Sequence, residues 1–466
     1  MHASPWWLAL GALVAGANIA TAAPAGPQRP FPQHVSYVAG TILPKHRTRV
    51  ELDADVVAAW TRWKAQYIAS AGVELDGRPR FRVQVIFNGV DRSIAEGQGY
   101  GMLLAAFLAG ADADARMIFD GLFEFSADHP SLVDARLFDF EIPPDEAPNP
   151  DPTRDASTFD GDADIAYALL LADRQWGSNA GAIDYRARAL DVLAGILDSE
   201  IGPASRLPML GDWFTTSEPL YSEWTPRTSD FMSGHFRVFA AVTGDPAWTG
   251  VRDAVLAATS SLQENFAPTT GLLPDFAEPN SAIDPTLHPA RPNFLESPND
   301  GAYFFNAGRV PWRLGVDALL SGNESAWNSA LMIAFWANAA HQGNPNLLHE
   351  GYDLLGLPLD AASGFNSLFA APIGVAAMLA SELQPWLEAL YDSVRDTNQG
   401  YYEDSVTLLS MLVMTGNWWE PLPVPEPSAL VQGVVVLVAF ASLRGLRCWS
   451  VGALGCLRSA PWSPVR

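Results

Sequence analysis

The sequence is poor in cysteine. Its 466 residues include only two, Cys448 and Cys456, and both lie close to the C-terminus. The preceding chain therefore offers no disulfide, no thiolate nucleophile and no cysteine-ligated metal site. Its eight histidines are scattered, and the closest grouping with a carboxylate, His341 with His349 and Glu350, lacks the spacing of a helical zinc motif. We expect neither a metal nor another cofactor.

Positive charge is also scarce. The chain has 28 Lys and Arg against 52 Asp and Glu, which gives a formal net charge of -24. A protein of this charge repels phosphate backbones, and no basic aromatic patch offsets it, so we exclude nucleic acid as a partner. The acidity serves solubility first, although it would also attract a cationic polysaccharide.

Both ends of the chain differ in composition from the rest. Residues 1–23 resemble a secretory signal, because Trp6–Val14 form an apolar core and small residues precede Pro24. Residues 24–50 are rich in proline, and we predict a linker or N-terminal extension of low order there.

A short linker over 417–423 precedes a distinct C-terminal segment over 424–447. This segment begins with Val-Pro-Glu-Pro, continues with about 15 apolar residues and ends in arginines. A permanent membrane span needs about 20 apolar residues. The segment resembles the PEP-CTERM sorting signal of Gram-negative bacteria, which an exosortase removes. The resemblance implies export to the cell surface or extracellular matrix, with transient membrane association before trimming; residues 448–466 would form a tail.

Helical periodicity dominates from residue 51 onward. Twelve segments carry it: 51–70, 93–110, 112–126, 160–176, 183–200, 230–243, 246–264, 305–320, 324–340, 368–382, 384–394 and 402–416. Residues 81–87 alternate in polarity and predict a short strand or hairpin arm. Twelve alternating helices fit a closed ring of helix pairs, while periodicity alone does not separate that ring from an α-solenoid. The chain has no fixed-period sequence repeat, which disfavours the solenoid.

Three long loops separate these helices, at 138–159, 203–229 and 267–304. They are rich in Pro, Asp, Asn and aromatic residues. Loops of this length in a compact domain usually carry function. If the helices form a ring, we expect these loops to build the walls of a cleft at one end.

The stretch from Ser93 to Met102 places Glu96 among three glycines at the start of an apolar helix. Ser93 and Glu96 have the spacing of a capping box. A cap does not require glycine at 97, 99 and 101, where each costs up to about 1 kcal/mol against alanine. Missing side chains let a ligand approach the backbone, and Glu96 with Tyr100 offers an acid beside a flat ring, as a sugar requires. Both interpretations are open on these residues alone.

The same stretch resembles the signature of glycoside hydrolase family 8. Two further stretches match in the family's order, DGDADIAYALLLADRQW at 160–176 and NAGRVPWRLGVD at 306–317. The resemblance implies an all-α catalytic domain over 51–416, an (α/α)6 barrel of about twelve helices with a minor β element. It also implies an endo-acting enzyme that hydrolyses β-1,4 linkages of a cellulose-type or mixed-linkage glucan with inversion, and the signal-like residues 1–23 predict that this enzyme is secreted.

The resemblance assigns the catalytic roles. Glu96 matches the general acid, and Asp160 matches an aspartate that contacts the sugar at the cleavage point, although an aspartate there also suits a helix cap. Many members have their base at the position of Asn306, but asparagine cannot act as a base. The stretch before it resembles a branch that includes chitosanases and lichenases, whose base is a loop glutamate. Glu296 matches that base, and Asp300 is the fallback.

Aromatic and polar residues complete the candidate site. Tyr100, Trp213 and Trp224 are candidate platforms for the apolar faces of sugar rings. Candidates for binding hydroxyls or orienting carboxylates, each of which also fits a structural role, are Asp230, His235, Asn306 and Arg309. Two alternatives to the glucanase remain: a chitosanase, and a carbohydrate-binding surface protein that has lost its base.

Overall fold

Helices form most of the regular structure in this computed structural model, which describes residues 26–87, 89–143, 155–178, 181–213 and 221–423. The predicted signal segment, the sorting segment and the C-terminal tail lie outside these residues. Within them, no helix combines the length and the apolar character that crossing a membrane requires.

The described residues contain twelve α-helices, as the sequence predicts. They are α1 (Arg49–Tyr67), α2 (Ala95–Phe107), α3 (Ala115–Asp128), α4 (Phe159–Trp176), α5 (Tyr185–Ser199), α6 (Ser233–Thr243), α7 (Ala247–Phe266), α8 (Val310–Ser321), α9 (Glu324–Ala340), α10 (Ser367–Ala377), α11 (Gln384–Val394) and α12 (Tyr401–Met414). Each predicted segment overlaps one of them, and the boundaries differ by up to five residues.

The helices form two concentric layers. The even-numbered helices contact one another in sequence, and α12 packs against α2, so that the inner ring closes. Each inner helix also packs against an odd-numbered helix outside it. The inner helices α4 and α10 are buried on nearly every side, whereas α1 and α7 bury one stripe. Such all-round burial is typical of a helix that is covered by neighbours on both sides. The predicted (α/α)6 barrel is therefore confirmed.

In the part of the chain that the structure describes, seven short strands pair antiparallel outside the barrel. They are β1 (Ile68–Val73), β2 (Pro79–Val83), β3 (Val85–Phe87), β4 (Val90–Ile94), β5 (Glu141–Ile142), β6 (Ala277–Ser281) and β7 (Asp284–Pro289), paired as β1–β2, β3–β4–β5 and β6–β7. The strand predicted over 81–87 is present as parts of β2 and β3. Strand β4 runs directly into α2, which carries Glu96.

The prediction of a low-order linker over 24–50 is wrong for its described part. Residues 26–47, the N-terminal strap, lie across the ends of the inner helices. Backbone amides of the strap donate to carbonyls at the C-terminal ends of α2, α4, α8, α10 and α12: Phe31 to Ala109, Gln28 to Gln175, Val38 to Leu319, Ile42 to Met378, and Val35 to Gly416. The last carbonyls of a helix have no partner within it, so an extended segment satisfies them. The strap occupies one end of the barrel, and the N-terminal ends of the inner helices face the other.

Candidate active site

The glycines around Glu96 allow two inner helices to approach closely. A Cβ atom at Gly99 would lie 2.9 Å from the Cβ of Asp164 in α4, and one at Gly161 would lie 2.5 Å from the Cβ of Ala95 in α2. Protein atoms, rather than a ligand, thus occupy the space beside these glycines. This close packing sets Glu96 and Asp160, the second residues of their helices, side by side.

The capping-box interpretation does not hold for α2, whose first turn is described in full. Its N-cap is Ile94, which makes no side-chain cap hydrogen bond. Ser93 instead lies in β4, buried, and pairs with Ile142 of β5. Because the strand continues up to the helix, the Ser93 side chain does not reach the first-turn amides. The Glu96 carboxylate is bonded elsewhere.

Arg309, which immediately precedes α8, donates hydrogen bonds to five side chains of the site. Its Nη1 lies 2.8 Å from Oε2 of Glu96 and 2.9 Å from Oδ2 of Asp160, with the hydroxyl of Tyr100 slightly farther at 3.1 Å. Its Nη2 donates to Ser229 Oγ at 2.8 Å and to Asn306 Oδ1 at 3.0 Å. One buried guanidinium thus connects residues that precede or begin four inner helices.

Glu296 joins this cluster from the long loop before α8. Its Oε2 accepts a hydrogen bond from Asn306 Nδ2 at 2.8 Å, and its Oε1 lies 3.8 Å from Nη2 of Arg227. Arg227 also donates to Asp160 Oδ2 at 2.9 Å. The side chain of Glu296 is 47% exposed, whereas that of Glu96 is 12% exposed. The cluster therefore contains a sheltered carboxyl and a second one open to solvent.

Asp300, the fallback base, accepts hydrogen bonds from backbone amides. It is completely buried, and its two oxygens accept from the amides of Leu295, Glu296 and Ser297 at 2.7–3.0 Å. Asp300 thus shapes the loop that presents Glu296, and its role as the fallback base stays a prediction.

The site holds its carboxyls in different protonation states. Burial, assisted by the negative charge of Asp160, raises the pKa of Glu96 to about 7, although Arg309 and Tyr401 oppose the shift. Burial also acts to raise the pKa of Asp160, but the charges of Arg227 and Arg309 outweigh it and hold that pKa well below its usual value. Near neutral pH, Asp160 is thus an anion while Glu96 can carry a proton. This division suits a carboxyl that donates a proton beside a second carboxylate that stays charged.

The aromatic candidates differ in exposure. Tyr100 is completely buried and packs edge-on against Trp312, 6.3 Å between ring centroids. The exposed ring face that we expected for sugar stacking is therefore not present. Trp213 is partly exposed and lies 5.9 Å from Tyr221, and Trp224 is also partly exposed. Their stacking on a sugar stays a prediction.

Two polar candidates lie beneath the site. Asp230 is completely buried beside Ser229 and Arg227, and burial raises its pKa to about 7. His235 is also buried, with Nε2 3.0 Å from Oδ1 of Asp164, and it stacks on Tyr167. Their contacts are therefore with protein groups, as expected for residues that orient charged side chains.

Sequence reasoning missed three members of the cluster, Ser229, Arg227 and Tyr401. Arg227 lies in the loop before α6, and Tyr401, the first residue of α12, donates to Glu96 Oε1 at 3.0 Å. Tyr401 and Glu96 are 305 positions apart in the chain. The local signal for each residue is its location at or shortly before the start of an inner helix, which becomes informative once the ring is known.

The chain matches known proteins over most of its length. The model of the glycosyl hydrolases family 8 matches residues 50–416. A beta-glucanase from Niallia circulans is 39% identical over 396 residues, covering 85% of this chain and 92% of that protein. An endoglucanase from a Bacillus species is 32% identical over 400 residues, covering 85% and 82% respectively.

Solved structures show the same similarity. The apo structure of a beta-1,3-1,4-glucanase from a Paenibacillus species superposes with a TM-score of 0.79 at 38% identity, covering 84% of this chain and all of that one. A xylobiose complex from Teredinibacter turnerae superposes with a TM-score of 0.67 at 16% identity, covering 81% of this chain and 96% of that one, and shows the fold alone. With its barrel and these matches, the chain belongs to glycosyl hydrolases family 8 and is a glycosidase.

Proposed function

We propose that this enzyme cleaves internal β-1,4 linkages of a glucan, with mixed-linkage β-1,3-1,4-glucan as the preferred class. The inverting mechanism that we propose uses Glu96 as general acid and Glu296 as general base. The observation that carries it is the chain of hydrogen bonds from Glu96 through Arg309 and Asn306 to Glu296. It brings a protonatable carboxyl and a solvent-exposed one into the same cluster.

In the proposed reaction, Glu96 gives its proton to the glycosidic oxygen as the bond from that oxygen to C1 breaks. Glu296 takes a proton from a water molecule while the water oxygen bonds to C1 on the opposite face of the sugar. The exposure of Glu296 supports this role, since a base must reach water. Asp160, kept anionic by two arginines, would hold the sugar at the cleavage point and stabilise the positive charge that develops on its ring.

The names of the relatives support the substrate class. A beta-glucanase and a beta-1,3-1,4-glucanase match at 39% and 38% identity over most of both chains. An endoglucanase matches at 32% identity. Long loops flanking an exposed carboxyl also suit a cleft that accepts the middle of a polymer.

The test is a panel of lichenan, carboxymethylcellulose, xylan and chitosan. We expect reducing sugar to appear fastest from lichenan, with viscosity falling early because internal bonds are cut. Slow loss of viscosity with steady release of small sugars would contradict endo action. Faster release from chitosan would favour the chitosanase, and no product from any of the four would favour the binding protein.

Glu296→Ala tests the proposed base. We expect turnover on lichenan to be lost, and azide, as a small nucleophile, to restore cleavage with a glycosyl azide as product. Asp284→Ala, which removes an exposed carboxylate from β7, is the matched control and should keep turnover. Full activity of Glu296→Ala would remove Glu296 from the mechanism.

We also propose that the protein is exported, cut near Ala23 and trimmed near Pro425 in a host with the sorting machinery. The composition of residues 1–23 and 424–447 supports this. Intact mass of the secreted protein measures both cuts. A secreted product that retains Cys448 would contradict the trimming.

A further inference from the structure

The two oxygens of the Glu96 carboxyl have different partners. Oε2 faces Nη1 of Arg309 at 2.8 Å, and Oε1 faces the hydroxyl of Tyr401 at 3.0 Å. A guanidinium has only donors, whereas a phenol hydroxyl can donate or accept. The two sides of the carboxyl are therefore not equivalent for a proton.

Arg309 is in no position to turn away from Oε2. It is 1% exposed, and Asp160, Ser229 and Asn306 also accept hydrogen bonds from it. A proton on Oε2 would point at an N–H group and break this contact. Oε1 can carry the proton without any such loss, because the Tyr401 hydroxyl rotates and becomes the acceptor.

We propose that Oε1 is the proton-bearing oxygen of the general acid, and that Tyr401 is the positioning residue that directs this proton. Before reaction, the Oε1–H group donates to the Tyr401 hydroxyl. During reaction, the proton moves from Oε1 to the glycosidic oxygen, which keeps the electron pair of the broken C1–O bond. The Tyr401 hydroxyl then rotates and donates to the new carboxylate. The inference rests on the proposed role of Glu96.

Other groups near Glu96 do not duplicate this role. The charged or titratable groups that influence it are Arg309, Asp160, Arg227, Tyr100, Tyr401 and Tyr402. Tyr100 points its hydroxyl at Arg309, and Tyr402 donates to the carbonyl of Phe305. Burial, together with the charge of Glu96, holds the pKa of Tyr401 well above its usual value, so Tyr401 stays a neutral phenol and does not supply its own proton.

The position of Tyr401 also explains one glycine of the motif. A Cβ atom at Gly97 would lie 3.0 Å from the Tyr401 hydroxyl oxygen. Alanine at this position would press on the hydroxyl and move it relative to Oε1. Gly97→Ala therefore perturbs the same contact without changing either partner.

The experiment is the pH dependence of kcat/KM on lichenan for the wild type and Tyr401→Phe. The hydroxyl stabilises the ionised form of Glu96, so its removal raises the pKa of the acid. We expect the alkaline limb of the kcat/KM profile to move to higher pH by about one unit in Tyr401→Phe. The rate at the optimum should be lower than in the wild type. Gly97→Ala should move the limb in the same direction by less.

Tyr391→Phe is the matched control, since it removes a tyrosine–carboxylate hydrogen bond to Asp55 on an outer helix. Tyr391→Phe should lower Tm and leave the alkaline limb of the kcat/KM profile where it is in the wild type. Suppose that Tyr401→Phe folds and the alkaline limb of its pH profile does not move, while Glu96→Gln is inactive. That result would overturn the role of Tyr401 and leave the acid assignment intact. If Glu96→Gln keeps full turnover, the proposed function itself is wrong.

Discussion

Asn306 Nδ2 lies 2.8 Å from Oε2 of Glu296, and the orientation of this amide is determined by its other neighbour. Arg309 donates to Asn306 Oδ1 at 3.0 Å, so the amide oxygen must face Arg309 and the NH2 group must face Glu296. Glu296 therefore has to accept on this side. The residue that we expected to contact the sugar is instead bonded to two protein groups.

We predict that Asn306→Ala lowers kcat by up to about 100-fold, because a displaced base activates the attacking water poorly, with little change in KM. Steady-state kinetics on lichenan with circular dichroism as a check of folding measure this. A raised KM with unchanged kcat would restore the sugar-contact interpretation. Asn265→Ala, on the exposed side of α7, should leave both constants unchanged.

Glu96→Gln should lower turnover by about 10²- to 10⁴-fold, the usual contribution of a general acid. Folding should be preserved, because the glutamine amide can place its oxygen toward Arg309 and its NH2 group toward Tyr401. Turnover and Tm are measured together, with Glu324→Gln on the exposed start of α9 as the control. A lower Tm with unchanged turnover would show that Glu96 serves the fold alone.

The pH dependence of activity should reflect the raised pKa of Glu96. This carboxyl must be protonated to act, and its pKa is raised to about 7 by burial. We therefore expect kcat/KM to be retained up to about pH 7 and to fall above it. A fall that begins near pH 4.5, the value of an ordinary glutamate, would contradict a buried acid.

Asp275 should make the fold less stable in alkali. Burial raises its pKa to about 8, while its Oδ1 accepts from the amides of Phe304 and Ala307. Because the folded pKa lies above the unfolded one, the folded state holds its proton more tightly, and stability falls as pH rises from about 4 to about 8.

The substitution Asp275→Asn keeps Oδ1 as the acceptor and removes the charge. We expect it to raise the free energy of unfolding at pH 8 by about 1 kcal/mol or more, since one unit of pKa shift is worth about 1.4 kcal/mol. At pH 4 the difference should vanish. Urea unfolding at both pH values measures it, and an equal effect at the two values would contradict the ionisation account.

Removal of residues 26–47 should destabilise the barrel, because five helix-end carbonyls lose the amides that they accept from. At about 0.5–1.5 kcal/mol for each hydrogen bond, the loss is several kcal/mol. The loss is measured by comparing the Tm of a chain that starts at residue 26 with the Tm of a chain that starts at residue 48. Equal Tm values would show that the strap is not part of the folded unit.

The sequence allowed the helices to be predicted and Glu96 to be proposed as the acid, but it did not reveal the network around Glu96. Helical periodicity is local, so all twelve segments could be located. The strap could not, because prolines favour extended chain whether or not a partner is present, and its partners come from five separate helices. Arg227 and Tyr401 likewise meet the site only through the closure of the ring.

The sequence correctly indicates that the glycines after Glu96 are required, but the reason inferred for them was incomplete. Their cost inside a helix correctly indicated that something needs them, but close packing against α4 and Tyr401 accounts for the space beside Gly97 and Gly99. Sequence alone cannot tell a ligand from a neighbouring helix, since both require the same missing side chain.

The anomeric configuration of the first product tests the pairing of Glu96 with Glu296 most directly. Proton spectra recorded during the first turnovers on lichenan would show it before mutarotation. We predict an inverted α-product, as for carboxyls roughly 6.5–9.5 Å apart with water between them. A retained β-product would contradict the account, because Glu296 would then have to attack the sugar itself rather than activate water.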